Sequence, residues 1–101
     1  MTESTAPVSR DEFSLLPPYV APRTVTEESL AEIWRRALGL DRIGVTDSYE
    51  DLGGSSLIAA AIFVDIEKSF GVEIKMGMLV EAPTVEELAR IVDELTGGAK
   101  G

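Results

Sequence analysis

Three stretches of the chain repeat apolar residues at the spacing of an α-helix, and a glycine follows each of them. The first helix is predicted to begin at Thr26 as its N-cap residue and to end before Gly39. Glu27 and Glu28 then lie in the first turn, where acidic side chains suit the helix dipole. The apolar stripe of this helix is Leu30, Ile33, Trp34, Ala37 and Leu38.

The other end of the chain carries an equally clear helix signal. A capping box from Thr84 to Glu87 predicts the start of the last helix, and Gly97 its end. Its apolar positions are Val85, Leu88, Ala89, Val92 and Leu95. With a short helical turn over residues 75–80, the pattern predicts an all-α domain. It has three principal helices, one short helix and a long first loop over residues 40–54.

The middle helix, predicted over residues 56–70, is apolar on two opposite faces. One face holds Ala59, Ile62, Phe63, Ile66 and Phe70. The other holds Leu57, Ala60, Ala61 and Val64. A domain this small covers one face, so the second is expected to be exposed as a surface for a partner. The alternative is a central helix wrapped on all sides by its neighbours.

The two ends of the chain lack helical periodicity. Residues 1–22 contain four prolines and are predicted to form a flexible tail; the alternative is a segment docked on the domain through its few apolar residues. Those apolar residues are Phe13, Leu15, Leu16 and Tyr19. Residues 23–96 form the predicted domain, and residues 97–101 a flexible C-terminus.

Composition excludes several classes of function. The chain of 101 residues contains neither cysteine nor histidine, so it has no Cys/His zinc site, disulfide, thiol nucleophile or histidine base. Its net charge of −9 argues against binding to nucleic acid. No apolar run approaches the roughly 20 residues that span a bilayer, and the N-terminus is not a secretory signal. We expect a cytoplasmic monomer with no metal site and no membrane association.

The stretch from Asp51 to Leu57 carries the chemistry. Gly53 and Gly54 end a loop, and Ser55 and Ser56 open the middle helix. Backbone amides at a helix N-terminus attract phosphate, and glycines leave room for a bulky group beside a serine ester. The alternative is a flexible turn followed by an N-cap serine. A catalytic serine is poorly supported, because no histidine or suitably spaced lysine accompanies it.

From Tyr19 to about Leu95, the chain resembles phosphopantetheine-dependent carrier proteins. The similarity is strongest to the peptidyl carrier type of nonribosomal peptide synthesis. The matching segments are 19–24, 30–34, 38–40, 43–45, 47–49, 51–57 and 82–85. The family motif Gly-Gly-x-Ser-Leu aligns its modified serine with Ser56 and its variable position with Ser55. The resemblance implies a four-helix bundle that carries 4′-phosphopantetheine on Ser56, beside Gly53, Gly54 and Ser55.

The resemblance also implies a carrier without catalytic residues of its own. A separate phosphopantetheinyl transferase attaches the arm from coenzyme A, and the thiol of the arm holds an aminoacyl or acyl thioester. The expected docking residues for that transferase and for adenylation, condensation or tailoring enzymes are Leu57, Ala61, Val64, Glu50 and Asp51. Acidity near the serine would steer basic partner surfaces.

Two alternatives to a peptidyl carrier remain at this point. The first is an acyl carrier protein of fatty-acid or polyketide synthesis, which the negative net charge suits. Ser55 disfavours it, because those carriers more often have Asp immediately before the serine. The second is a helical interaction module that shares the apolar stripes and carries no prosthetic group.

Overall fold

A computed structural model describes residues 7–13 and 15–97 of the chain. Within this part, a short 3-10 turn (Arg10–Glu12) precedes four α-helices, and no strand is formed. The helices are α1 (Val25–Leu38), α2 (Ser56–Phe70), α3 (Met76–Glu81) and α4 (Val85–Leu95). The predicted all-α bundle with three principal helices and one short helix is confirmed. Residues 98–101, most of the predicted flexible C-terminus, lie outside the described residues.

Helix α1 begins before the predicted residue. Its N-cap is Thr24, whose hydroxyl accepts a hydrogen bond from the Glu27 backbone N–H at 3.1 Å. The carboxylate of Glu27 reaches back to accept from the Arg23 backbone N–H at 2.8 Å, and both contacts hold the first turn. The prediction of Thr26 as the N-cap is therefore wrong. Thr26 lies inside the first turn, buried, and donates to Asp93 at 2.6 Å.

The other helix ends follow the sequence closely. Helix α2 has the predicted bounds, and α4 is capped by Thr84 as expected. Gly39 and Gly71 end α1 and α2 in the left-handed conformation, with φ of 70° and 72°. One position of the α4 stripe was wrong: Leu95 is half-exposed, because it lies in the last turn of the helix, beyond the packed part of the bundle.

The core lies where α1 packs against α2 and α4. Trp34 of α1 is fully buried and meets the ring of Tyr49 edge to face, with 5.4 Å between ring centroids. The first loop is pinned over this core by Ile43, Val45 and Tyr49, all of them buried. The loop is therefore fixed although it has no regular structure of its own.

The segment before α1 lies against the bundle. Val8 forms a parallel bridge with Leu40, Arg10 is buried, and Phe13 and Leu16 pack against the core. Residues 7–13 and 15–22 thus lie docked on the bundle, as in the alternative to a flexible tail, and residues 1–6 and 14 of the predicted tail lie outside the described residues. The physical reason is an ion pair between Arg10 and Asp47 that brings together residues far apart in the sequence.

The described part of the chain offers neither a membrane-spanning helix nor a cluster of metal-binding side chains. None of the four helices is long and apolar enough to cross a membrane. No cluster of acidic side chains within residues 7–13 and 15–97 has the arrangement to hold a metal ion.

Candidate functional site

A series of tight turns brings the first loop to the N-terminus of α2. Three backbone hydrogen bonds to carbonyl oxygens form these turns. The N–H of Leu52 donates to the carbonyl of Ser48 at 3.0 Å, that of Gly53 to the carbonyl of Glu50 at 3.0 Å, and that of Gly54 to the carbonyl of Tyr49 at 3.1 Å. Gly53 adopts φ of 86°, a left-handed conformation that favours glycine. The turns thus fix the direction in which the chain enters the helix.

Gly54 is needed because the ring of Tyr49 lies directly against it. A Cβ atom at Gly54 would stand 2.2 Å from the ring carbons, closer than any real contact. The phenol O–H of Tyr49 donates to the Ser55 carbonyl oxygen at 2.7 Å. Burial raises the pKa of Tyr49, and the phenol, which is already protonated near neutral pH at an ordinary tyrosine pKa, remains a donor. Tyr49 therefore fixes the backbone immediately before Ser56.

The two serines have different roles in the structure. Ser55 is the N-cap of α2, and its hydroxyl accepts from the Ile58 backbone N–H at 3.3 Å. Ser56 is the first residue of the helix; its side chain is exposed and bonds to none of the described residues. The backbone amides of the first turn that Ser55 does not cap have no partner inside the helix. An exposed hydroxyl therefore lies beside free amide donors.

A cleft of about 570 Å³ opens beside Ser56, between the first loop and α3. Its apolar lining comes from Tyr49 and Ala59 together with Leu79, Val80 and Pro83. The residues predicted to surround the modified serine are brought together here, because Gly54 and Ser55 also line the cleft. Gly53 lies next to them on the exposed turn.

The second apolar stripe of α2 is exposed, as the sequence predicts. Leu57 has 82% of its surface accessible and Val64 50%, and Ala60 and Ala61 are exposed between them. Sequence reasoning missed Val80 of α3, which is 80% accessible and lines the cleft beside Ser56. The sequence indicated a short helix here but not its orientation, so it could not show which side of α3 is exposed.

The two acidic residues singled out before the motif lie on the turn that leads to α2. Glu50 is exposed and lines the cleft, whereas Asp51 is half-buried. Neither forms an ion pair with any cation in the part of the chain that the structure describes. Their charge is thus available to an approaching molecule.

The family model described as the phosphopantetheine attachment site matches residues 28–92. This span exceeds half of the chain, and it includes both serines and the whole of α2. The chain belongs to this family of carriers, whose cofactor is covalently attached 4′-phosphopantetheine.

Solved structures define the subtype. An active-site mutant of a peptidyl carrier protein superposes with a TM-score of 0.76 at 36% identity, covering 79% of this chain and 89% of that one. The peptidyl carrier protein bound to the phosphopantetheine transferase Sfp and coenzyme A gives 0.73 at 38% identity, covering 75% and 99%. The chain is therefore a peptidyl carrier domain of the nonribosomal type. The family match excludes the helical interaction module. Of the two carrier types, these structures indicate the peptidyl type and not the acyl carrier of fatty-acid or polyketide synthesis.

Curated relatives are much longer proteins. Chondramide synthase of Chondromyces crocatus is 47% identical over 76 residues, and gramicidin S synthase 2 of Brevibacillus brevis is 39% identical over 101 residues. These matches cover 75% and 100% of this chain. The chain spans about 2% of the length of each relative.

The geometry at Ser56 fits the prosthetic group of the family. The hydroxyl is accessible, and Gly54 has no side chain that could obstruct access to Ser56 from the loop. The first-turn amides of α2 are placed to receive the negative charge of a phosphodiester. The cleft beside Ser56 leaves space for a long substituent.

Proposed function

We propose that Ser56 is the residue to which 4′-phosphopantetheine is attached, and that the chain carries aminoacyl or acyl groups on it without catalysing any step. One observation carries this assignment: the hydroxyl of Ser55 is engaged as the N-cap, whereas that of Ser56 is exposed and unengaged among the described residues. Gly53, Gly54 and Ser55 serve the site by shaping the approach to Ser56.

The attachment reaction needs little from this chain. A bond forms between the Ser56 oxygen and phosphorus of coenzyme A as the phosphoanhydride P–O bond breaks, and the nucleotide half departs. The chain has no histidine or cysteine, and no described side chain forms a hydrogen bond with the Ser56 hydroxyl. The base that accepts the serine proton therefore belongs to the transferase.

Once attached, the prosthetic group supplies the thiol that this cysteine-free chain lacks. The chain's own contribution is to present the ester at a fixed point and to stabilise its negative charge with the first-turn amides of α2. Tyr49 keeps the backbone before Ser56 in place through its bond to the Ser55 carbonyl.

The expected partners are a phosphopantetheinyl transferase and the adenylation, condensation or tailoring enzymes of a peptide synthetase. Complexes of related carriers support this: one holds the Sfp transferase with coenzyme A, and another joins an adenylation domain of McyG to its carrier with phenylalanyl-adenylate. We assign the docking surface to Leu57, Ala61 and Val64 of α2. Its modest size suits a carrier that must leave each partner quickly.

The charges near the serine support the same assignment. Glu50 and Asp51 lie on the turn before α2 and are unpaired within the described residues. Carboxylates beside the docking surface attract partners that present basic residues and raise the rate of encounter. The salt dependence of that rate is the corresponding observable.

Intact-mass measurement tests the proposal. The protein is incubated with a broad-specificity phosphopantetheinyl transferase and coenzyme A, and one added phosphopantetheine is expected. Ser56→Ala should abolish the addition. Ser55→Ala should retain it, as should the matched variant Ser55→Asp, which keeps an N-cap acceptor. Addition to Ser56→Ala, or none to the folded wild-type chain, would overturn the assignment.

A further inference from the structure

We propose that the N-terminal segment, residues 7–13 and 15–20, positions the turn that presents Ser56 to the transferase. The segment lies outside the span that matches the family model, residues 28–92. The turn is residues 47–55, named here the modification loop. The inference rests on the proposed role of Ser56 and adds Arg10 and Phe13 as positioning residues.

The first contact is a buried ion pair between the segment and the loop. Arg10 is 4% accessible and Asp47 is 0% accessible. The guanidinium binds the carboxylate in a bidentate manner, with Nε to Oδ2 at 2.6 Å and Nη2 to Oδ1 at 2.7 Å. The Gly44 backbone N–H donates to the same carboxylate at 2.9 Å. Removing the segment would therefore break a buried ion pair and take away the cation bound to Asp47.

Further contacts fix Arg10 in this position. Its backbone N–H donates to Asp41 at 2.8 Å, and its Nη2 also donates to the Pro17 carbonyl at 2.6 Å. The ring of Tyr19 lies against two guanidinium groups. Its centroid is 5.3 Å from the Cζ atom of Arg10 and 4.0 Å from the Cζ atom of Arg42. The segment is thus attached through side chains at both of its ends.

The second contact between segment and loop is apolar and reaches the motif itself. Phe13 is half-buried and packs against the core. Its Cε2 atom lies 3.6 Å from the position that a Cβ atom would take on Gly53. The ring therefore covers the left-handed turn at Gly53, which comes three residues before Ser56.

The two contacts hold the modification loop at its beginning and near its end. Asp47 starts the loop, and Tyr49, two residues later, holds the Ser55 carbonyl. A loop without regular structure depends on such anchors for its order. A transferase that binds an ordered loop avoids the cost of ordering it during association. The segment should accordingly lower KM for the carrier and leave kcat nearly unchanged.

The test uses the full chain and two readouts. The first is native-state hydrogen exchange at the amides of Leu52, Gly53 and Gly54, which does not depend on modification. The second is KM and kcat for transfer of phosphopantetheine from coenzyme A. Phe13→Ala removes the apolar contact and Arg10→Lys the bidentate one, while the charge is kept. Leu15→Ala, an exposed residue of the same segment, is the matched control.

Phe13→Ala is expected to speed exchange at these amides about tenfold, the effect of losing 1.4 kcal/mol of local stability. KM should rise by about the same factor, with kcat within about twofold and exchange in α4 unchanged. Arg10→Lys should act in the same direction and Leu15→Ala should have no effect. Unchanged exchange and KM in both test variants would overturn the inference. If the wild type accepts no phosphopantetheine, the proposed function fails, while the exchange data still decide whether the segment orders the loop.

Discussion

The phenol oxygen of Tyr49 donates a hydrogen bond to the backbone carbonyl of Ser55 at 2.7 Å, across a glycine that has no room for a side chain. This contact connects the buried end of the first loop to the residue before the proposed attachment serine. The bond and the packed ring together fix the backbone conformation of the loop where it joins α2.

Tyr49→Phe should lower the free energy of unfolding by about 1 kcal/mol, because it removes this hydrogen bond and keeps the ring. The change is measured by urea denaturation of the apo chain. Tyr19→Phe is the matched control, because among the described residues Tyr19 is held by its ring against two arginines and not by its hydroxyl. Equal stability of the Tyr49 variant and the wild type would contradict the role assigned to this bond.

Gly54→Ala should destabilise the chain by about 1–3 kcal/mol, because the added methyl group overlaps the Tyr49 ring. Gly77→Ala is the control: a Cβ there meets nothing within 4 Å, and Gly77 lies in α3. Alanine favours a helix over glycine by up to about 1 kcal/mol, so this control should stabilise the chain. Thermal unfolding of both variants measures the difference, and effects of the same sign would contradict the packing described.

Val64→Asp should slow aminoacyl loading of the modified chain by about tenfold or more, since it places a charge in the proposed apolar docking surface. The helical circular dichroism should not change, because the side chain is half-exposed. Val25→Asp is the control, an equally apolar and exposed position at the start of α1, where an acid suits the helix dipole. If Val64→Asp is loaded at the wild-type rate, this face of α2 does not take part in docking.

Stability should fall in acid in part through Glu27. Burial by itself raises the pKa of this carboxyl, but hydrogen bonds from the side chain and backbone of Arg23 outweigh it and lower the pKa. In the unfolded chain the carboxyl has its ordinary pKa, so it takes up a proton there first as the pH falls. The stabilisation is complete above that ordinary pKa and is lost as the pH falls through the folded value.

Glu27→Gln should therefore flatten the dependence of unfolding free energy on pH below about 4.5, the range in which a glutamate normally titrates. Urea denaturation at a series of pH values measures the slope. Glu28→Gln, on the exposed side of the same turn, is the matched control. The same slope in wild type and Glu27→Gln would show that another carboxyl governs the acid limb.

The sequence predicted most of the helical framework for a simple reason. The stripes in α1, α2 and α4 are local patterns, and the stop signals at Gly39 and Gly71 act within one turn. The start of α1 was misplaced because two threonines compete. Glu stands three residues after Thr24, whereas Ser29 stands three after Thr26, so the capping-box rule selects Thr24.

Local sequence patterns could not predict that the N-terminal segment docks on the bundle. Arg10 and Asp47 are 37 positions apart, and nothing periodic connects them. Their pairing depends on the burial of both groups in the finished fold, which single-sequence reasoning does not reveal. At the site, the motif aligned the modified serine with Ser56, and the structure adds that the hydroxyl of Ser55 is engaged as the N-cap. The exposure of Val80 likewise depends on the orientation of α3, which the sequence alone does not give.

The buried pairing of Arg10 with Asp47 has a consequence for engineers who transplant carrier modules between assembly lines. A chimera joined at residue 28, where the family match begins, would retain the acid and discard its cation. Breaking a buried ion pair by removing one partner costs about 3–5 kcal/mol, a large share of the roughly 5–15 kcal/mol that stabilises a typical domain. Fusion points for this chain therefore belong upstream of Val8, so that the graft brings its own counterion.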